Sequence, residues 1–216
     1  IMRSEIDAMR ALIFTGANAM DMADNSVSGV IADEQNRASV LIPIIKGWIT
    51  ELSVYHCSNG LQVHGGMGFI EETGAAQYLR DSRILPIYEG TTAIQANDLI
   101  FRKTIRDEGH TIQNLLDEIE TEMADIDVCY SVPMSKAISE VRSTLKILLS
   151  KANDSRYLAA NGVNWLMQLG YLCGGWMAVK SADRAIKNAE DLSDDFVNSK
   201  KICAEIYLQH SLPHVG

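Results

Sequence analysis

Two short stretches hold the residues whose types and spacing could do chemistry. In Tyr88-Glu89-Gly90-Thr91-Thr92 a carboxylate stands just before a helix start. There the helix dipole and free N–H groups stabilise negative charge. Gly90 removes the neighbouring side chain, so a substrate could lie against the backbone. Such a Glu can serve as a general base, or it can be a solvated residue that helps start a helix. In Gly65-Gly66-Met67-Gly68 the glycines let backbone approach a ligand and turn N–H groups toward it. They can equally form a plain turn, and no strand precedes them as a Rossmann dinucleotide site would need. Arg80, Asp81 and Arg83 offer surface ion pairs of small worth, or partly buried contacts that hold the turn before Glu89. The five histidines show no pairing pattern. Cysteines at 57, 129, 173 and 203 lack metal-type spacing, so buried reduced thiols and no metal site are expected.

The elements that must position these residues read as helices throughout. Ile6, Met9, Ile13, Ala17 and Met20 mark one face of a first helix, which should stop near Asn25-Ser26-Val27-Ser28-Gly29. A second helix runs from about Asp33 to about His56, with Ala38, Leu41, Ile42, Ile45, Ile49 and Leu52 as its stripe and a kink at Pro43. Glycines at 60, 65, 66, 68 and 74 make residues 57–75 an ordered loop or a short turn of helix. A helix follows from about Ala75 to Arg83, and Pro86 interrupts. Thr92-Ala93-Ile94-Gln95 has the spacing of a capping box that opens a helix to about Arg106.

Asp107-Glu108-Gly109-His110 predicts a break, and more helices follow it. Their stripes are Ile112, Leu115, Ile119, Met123 and Ile126, then Val141, Leu145 and Leu148 after a turn at Tyr130-Ser131-Val132-Pro133. Asp154 is the expected N-cap of a long helix bearing Trp165, Leu166, Leu169, Leu172 and Trp176. Its Gly170, Gly174 and Gly175 would admit a neighbouring backbone. A last helix begins near Asp194 or Asp195, with Phe196, Ile202 and Ile206 facing inward. The expected fold is all-α: a four-helix bundle over 1–108, then a second helical domain over 109–216.

Length and composition agree. A chain of 216 residues with 47% apolar side chains can bury a sizeable core. Its 28 acidic and 19 basic side chains, net -9, argue against nucleic acid or an anionic membrane surface as partner. No apolar run approaches a membrane span, and no signal peptide pattern opens the chain.

The combination of motifs is more specific than its parts. Gln62-x-x-Gly65-Gly66-x-Gly68-Phe69, then Arg80-Asp81-x-Arg83, then Ile87-Tyr88-Glu89-Gly90-Thr91-x-x-Ile94-Gln95, closely resembles the acyl-CoA dehydrogenase family. The resemblance covers about residues 1–106, which look like that family's carboxy-terminal four-helix domain. Beyond about residue 110, Leu169 to Trp176 resembles the extra helical domain of one subgroup, which includes the 3-methylmercaptopropionyl-CoA dehydrogenases.

This resemblance implies FAD as cofactor and an acyl-CoA thioester as substrate. Glu89 would take the proton next to the thioester carbonyl, as a hydride leaves the neighbouring carbon for the flavin. Tyr88 and Gly90 would line the substrate, and the Glu89 backbone N–H would hold the carbonyl oxygen, where developing charge needs stabilising. Thr91, Thr92 and Ala93 would touch FAD in the same subunit. Gln62, Val63, His64, Gly65 and Gly66 would hold the diphosphate end of the partner subunit's FAD, so a homodimer or homotetramer is implied. Electrons would pass to an electron-transfer flavoprotein. The family's amino-terminal helical and middle β domains have no counterpart here, so the chain alone is expected to be an inactive portion. Alternatives are an acyl-CoA oxidase and a non-catalytic dimerisation module. A bacterial cytoplasm or a mitochondrial-type compartment is expected.

Overall fold

A computed structural model describes residues 1–25 and 31–216, with side chains described outside 26–33. The proposed stop at Ser26 to Gly29 lies outside these residues. The helical periods become nine α-helices among the described residues, with no strand. They are α1 (Met2–Asn25), α2 (Ile31–Val63), α3 (Gly66–Phe69), α4 (Ala75–Ser82), α5 (Thr92–Asn97), α6 (His110–Met123), α7 (Val128–Ser150), α8 (Ser155–Lys187) and α9 (Asp194–Ile206). The α5 helix continues through a wider i→i+5 coil over Asp98–Ile105, and short turns close the chain from Tyr207 to Val215.

Two 33-residue helices, α2 and α8, cross at the centre. α1, α4 and α5 pack on α2, and α1, α5, α7 and α9 pack on α8. Trp48, Trp165, Trp176, Leu41, Ile44, Leu99 and Leu116 are among the fully buried side chains. The glycines of α8 explain how such bulk fits. A Cβ on Gly170 would stand 2.2 Å from Trp48 Cγ, and one on Gly174 would stand 2.1 Å from the Tyr207 hydroxyl. Gly170 and Gly174 therefore admit aromatic side chains, and Gly175 admits Leu212 and Met134, rather than a neighbouring backbone. The apolar core is continuous across residue 108. By length and composition the stretch Glu34–Val63 is apolar enough to cross a membrane, contrary to the reading of the sequence. Its packing against α1, α4, α5 and α8 accounts for that apolarity.

Several faces differ from those expected. α1 buries Ala8, Met9, Leu12, Gly16, Ala19 and Ala23, while Ile6, Ile13 and Met20 are exposed and only Met9 is shared with the predicted stripe. Small residues win the inward face because they let α2 come close: a Cβ on Gly16 would meet Ile45 Cδ1 at 2.5 Å. On α2 Leu41 and Leu52 are buried as expected, but Ile42 is exposed. α2 also runs through Pro43 and Gly60 as far as Val63. On α9 Phe196 and Ile202 are exposed, and the smaller Cys203 and Ala204 face inward. The expected turn at Tyr130 to Pro133 is helical, because Asp127 caps α7 by accepting from the Cys129 N–H at 2.9 Å. Asp154 does cap α8, accepting from Tyr157 N–H at 3.0 Å. The cysteines split: Cys173 and Cys203 are buried, Cys57 is half-buried and Cys129 is exposed. Burial pushes the Cys173 thiol up to about 12, which makes it unreactive.

One polar cluster lies inside this core. Glu5 of α1 accepts from the Ser211 hydroxyl at 2.7 Å, and its other oxygen meets His56 Nε2 of α2 at 2.9 Å. The His contact has ion-pair distance but not hydrogen-bond alignment, and His56 Nδ1 has no partner. Burial raises the Glu5 carboxyl, but His56 and Ser211 outweigh it and hold the group below the usual carboxylate range.

Candidate active site

Glu89 sits in a turn whose backbone is unusual. Its φ is 50°, and Gly90 follows at 94°. Glu89 and Glu108 are the non-glycine residues with positive φ among those described. A glutamate in the left-handed region costs about 1–2 kcal/mol, and such strain persists only where the surroundings impose it. Here the surroundings are identifiable. The Thr92 N–H donates to the Pro86 carbonyl at 3.2 Å, closing residues 86–92 into a loop. Gly90 is favoured by its φ of 94°, and the end of the Gln95 side chain lies 2.6 Å from where a Cβ would stand. Among the described residues no acceptor takes the N–H of Glu89 or Gly90. The Glu89 carboxylate is exposed, and Tyr88 beside it is 45% exposed.

The helix that follows begins one residue earlier than the capping box implied. Thr91 is the N-cap, and its hydroxyl accepts from the Ile94 N–H at 3.3 Å. Thr92, the expected cap, is buried and donates its hydroxyl to Glu51 Oε1 at 2.6 Å. On the other side of the turn, Lys46 Nζ donates to the Leu85 carbonyl and lies 5.0 Å from the centre of the Tyr88 ring. Reading the sequence did not find Lys46 or Glu51. Both lie on α2 about forty residues upstream, and nothing in local spacing joins them to the turn.

The glycine stretch is a separate place. α2 extends to Val63, and His64 and Gly65 form a turn before the four-residue α3. Gly65 has φ 61° and ψ −147°, a conformation close to glycine-only. A Cβ on Gly65 or Gly66 would meet nothing within 4 Å, so the chain itself leaves that side open. Gly68 is different: its Cβ would stand 2.2 Å from the Leu61 carbonyl oxygen, so it serves packing. Gln62, Val63, His64, Gly65 and Gly66 are all exposed. The His64 Nδ1 lies 2.8 Å from the Gly60 carbonyl, which can only accept, so Nδ1 carries the proton and Nε2 is left free to face a ligand.

From Glu51 to Val63, twelve residues of helix span about 18 Å. The structure thus gathers Tyr88, Glu89, Gly90, Thr91 and Thr92 at the middle of α2 and keeps Gln62 to Gly66 at its end. Ala93 is exposed at the start of α5. Arg80 pairs with Glu71 at 3.0 Å, with both side chains more than 60% exposed, so this pair is a surface contact. Among the described residues no group of three or more His, Cys, Asp or Glu is placed to hold a metal.

Comparison with known proteins bears on both halves. Residues 1–103 match the model of the acyl-CoA dehydrogenase C-terminal domain, and residues 115–216 match that of the acetyl-CoA dehydrogenase C-terminal-like domain. The chain is 37% identical to the 3-methylmercaptopropionyl-CoA dehydrogenase of Ruegeria pomeroyi over 98% of its own length and 37% of the relative's. It is 30% identical to the broad-specificity linear acyl-CoA dehydrogenase FadE5 of Mycobacterium tuberculosis, over 96% of the chain and 37% of the relative. It therefore spans little more than a third of each relative. The fold matches a solved acyl-CoA dehydrogenase complexed with FAD from Bacillus anthracis, with TM-score 0.71 and 20% identity, over 99% of this chain and 39% of that one.

Proposed function

For a chain that belongs to the acyl-CoA dehydrogenase family, as its carboxy-terminal helical part, we propose that Glu89 is the base of an α,β-dehydrogenation of an acyl-CoA thioester. The observation that carries this reading is the strained turn itself. An exposed carboxylate and two backbone N–H groups without acceptors stand side by side on a loop closed at 86–92. A thioester carbonyl oxygen could accept from the Glu89 N–H while the α-carbon faces the carboxylate. The hydrogen bond would stabilise the developing enolate as Glu89 takes the proton. Gly90 keeps the backbone beside Glu89 free of a side chain, and the half-exposed Tyr88 bounds the substrate on the other side. Both relatives are acyl-CoA dehydrogenases, which supports this substrate class.

FAD, when bound, supplies the hydride acceptor. The residues present fit its diphosphate end at the glycine turn, where two missing side chains leave open space and His64 Nε2 faces out. Thr91 and Ala93 stand free to meet the flavin beside Glu89. Thr92 has its hydroxyl proton committed to Glu51, so it would contribute backbone or methyl contact. The outward face of α1, with Ile6, Ile13, Phe14 and Met20 exposed, supports a homodimer or homotetramer. The electron acceptor we propose is an electron-transfer flavoprotein.

The test is Glu89→Gln in the enzyme that carries this chain as its carboxy-terminal part. Gln keeps size and the backbone N–H but cannot take a proton. Turnover should fall by at least about 10² to 10⁴ while acyl-CoA still binds. Anaerobic mixing with saturating acyl-CoA checks this: flavin bleaching at the parent rate would show that another residue is the base.

A further inference from the structure

The turn that bears Glu89 is held at two points by one helix. Upstream, Lys46 Nζ donates to the Leu85 carbonyl and stands over the Tyr88 ring at 5.0 Å. Downstream, Glu51 accepts the Thr92 hydroxyl at 2.6 Å. Lys46 and Glu51 are five residues apart on α2, about 7.5 Å along its axis. Between the two anchors the backbone takes two consecutive positive φ angles, 50° at Glu89 and 94° at Gly90. Left to itself, a glutamate would leave that region for the ordinary β or α basin. The loop-closing bond from Thr92 N–H to the Pro86 carbonyl resists this, but its donor residue is itself tied to Glu51.

We infer that Lys46 and Glu51 are positioning residues for Glu89, acting through Leu85, Tyr88 and Thr92 to set where the carboxylate stands relative to its own backbone N–H. This rests on the reading of Glu89 as the base. Neither anchor needs to touch substrate. Their effect is geometric: a base and an oxyanion donor on the same residue work together only while φ at that residue is fixed. Releasing either anchor lets the turn relax and moves the carboxylate away from the carbon it must deprotonate. Displacement of about 1 Å in a reacting group commonly costs about 10²-fold in rate.

The experiment uses the flavin-loaded enzyme that carries this chain, with steady-state kinetics on one acyl-CoA and on its α-deuterated form. Flavin content and thermal midpoint are measured for every variant. Glu51→Ala should lower kcat about 10- to 100-fold and leave KM within about threefold, because transition-state geometry suffers more than binding. The deuterium effect on kcat should rise as proton removal becomes slower. Glu51→Gln keeps an acceptor for Thr92 and should stay within about threefold of the parent. Thr92→Val should copy Glu51→Ala, and the double variant should be no worse than either, since both remove one bond. Lys46→Met should lower kcat in the same sense.

Parent kcat and deuterium effect in flavin-replete Glu51→Ala or Lys46→Met would overturn the inference. So would a Glu51→Gln variant as slow as Glu51→Ala, since that makes charge, not the Thr92 bond, the agent. Should Glu51→Ala lose flavin or fold poorly, Lys46→Met and Glu51→Gln decide on the same criteria. A Glu89→Gln arm separates the two failures. If Glu89→Gln turns over normally, the base assignment fails and this inference with it. If it is inactive while the anchor variants are parent-like, only the anchoring fails.

Discussion

The crossing of α2 and α8 and the segment from 62 to 95 are built on opposite terms. At the crossing the large side chains are covered, and Gly170 and Gly174 seat the Trp48 indole and the Tyr207 phenol. In the segment the backbone is pinned while its apolar side chains stand out: Val63 is 81% exposed, Phe69 79% and Tyr78 74%. The same chain thus contains a region complete in itself and a region where several large apolar side chains stand uncovered while the backbone is held. The lesson is that held backbone with uncovered side chains marks a surface built to receive something. Single surface hydrophobes are common, but here Val63, Phe69 and Tyr78 stand exposed on three successive helices, beside the positive-φ turns at Gly65 and Gly74.

The contrast can be broken first at the crossing. Trp48→Ala should cost about 3–5 kcal/mol, because a fully buried indole leaves a cavity that the facing Gly170 and Gly174 cannot fill. Gly170→Ala attacks the same contact from the other side and should cost about 1–3 kcal/mol by overpacking against Trp48. Urea unfolding curves check both, and a loss below measurement error for Trp48→Ala would mean the crossing is not the core.

The next effect is acid-sensitive. Glu5→Gln should cost about 1–3 kcal/mol near neutrality, since it leaves buried polar groups imperfectly paired. The parent's Glu5 is held below the usual carboxylate range in the folded state. Its contribution is therefore complete above that range and drains away as pH falls through it toward the folded value. Unfolding free energy measured from about pH 7 down to about pH 3 should fall less steeply in Glu5→Gln than in the parent. Equal slopes would show that the cluster does not titrate as a unit.

The segment predicts the smaller effects on stability. Gly66→Val should leave the fold within about 0.5 kcal/mol, since its Cβ meets nothing in the chain, while flavin retention in the assembled enzyme falls. Unchanged flavin content would remove Gly66 from the cofactor contacts. Arg80→Ala breaks an exposed pair with Glu71 and should change stability by about 0.5 kcal/mol or less.

How far the sequence carried the description depends on what each feature rests on. Helix existence and the α8 stripe were legible because Trp165, Leu166, Leu169, Leu172 and Trp176 repeat with a period nothing else explains. The cap at Asp154 was legible because capping is local. The inward face of α1 was not, since Ala8, Gly16 and Ala19 are buried for their smallness while isoleucines stay outside. Hydrophobicity alone ranks those residues the wrong way round. The Thr91–Thr92 pair shows the same limit at the site. Either threonine can cap, and the choice was made by Glu51, a residue forty-one positions away. The residue types left Glu89 open between a base and a solvated helix-starting side chain, and only the family resemblance of the whole motif singled it out; its strain and its anchors are properties of the folded chain.

Glu5 and Ser211 are 206 positions apart. During synthesis, at about 5–20 residues per second, the first helix leaves the ribosome on the order of 10 to 40 seconds before the hydroxyl that pairs with its buried carboxylate. Contacts of such long separation are also slow to close once both ends are present. Until then Glu5 has His56 but not the Ser211 hydroxyl, and α1 lacks its contact with the turns at 207–215. Among the helices of this chain α1 is therefore made before the others and yet receives one of its buried contacts from the turns at 207–215.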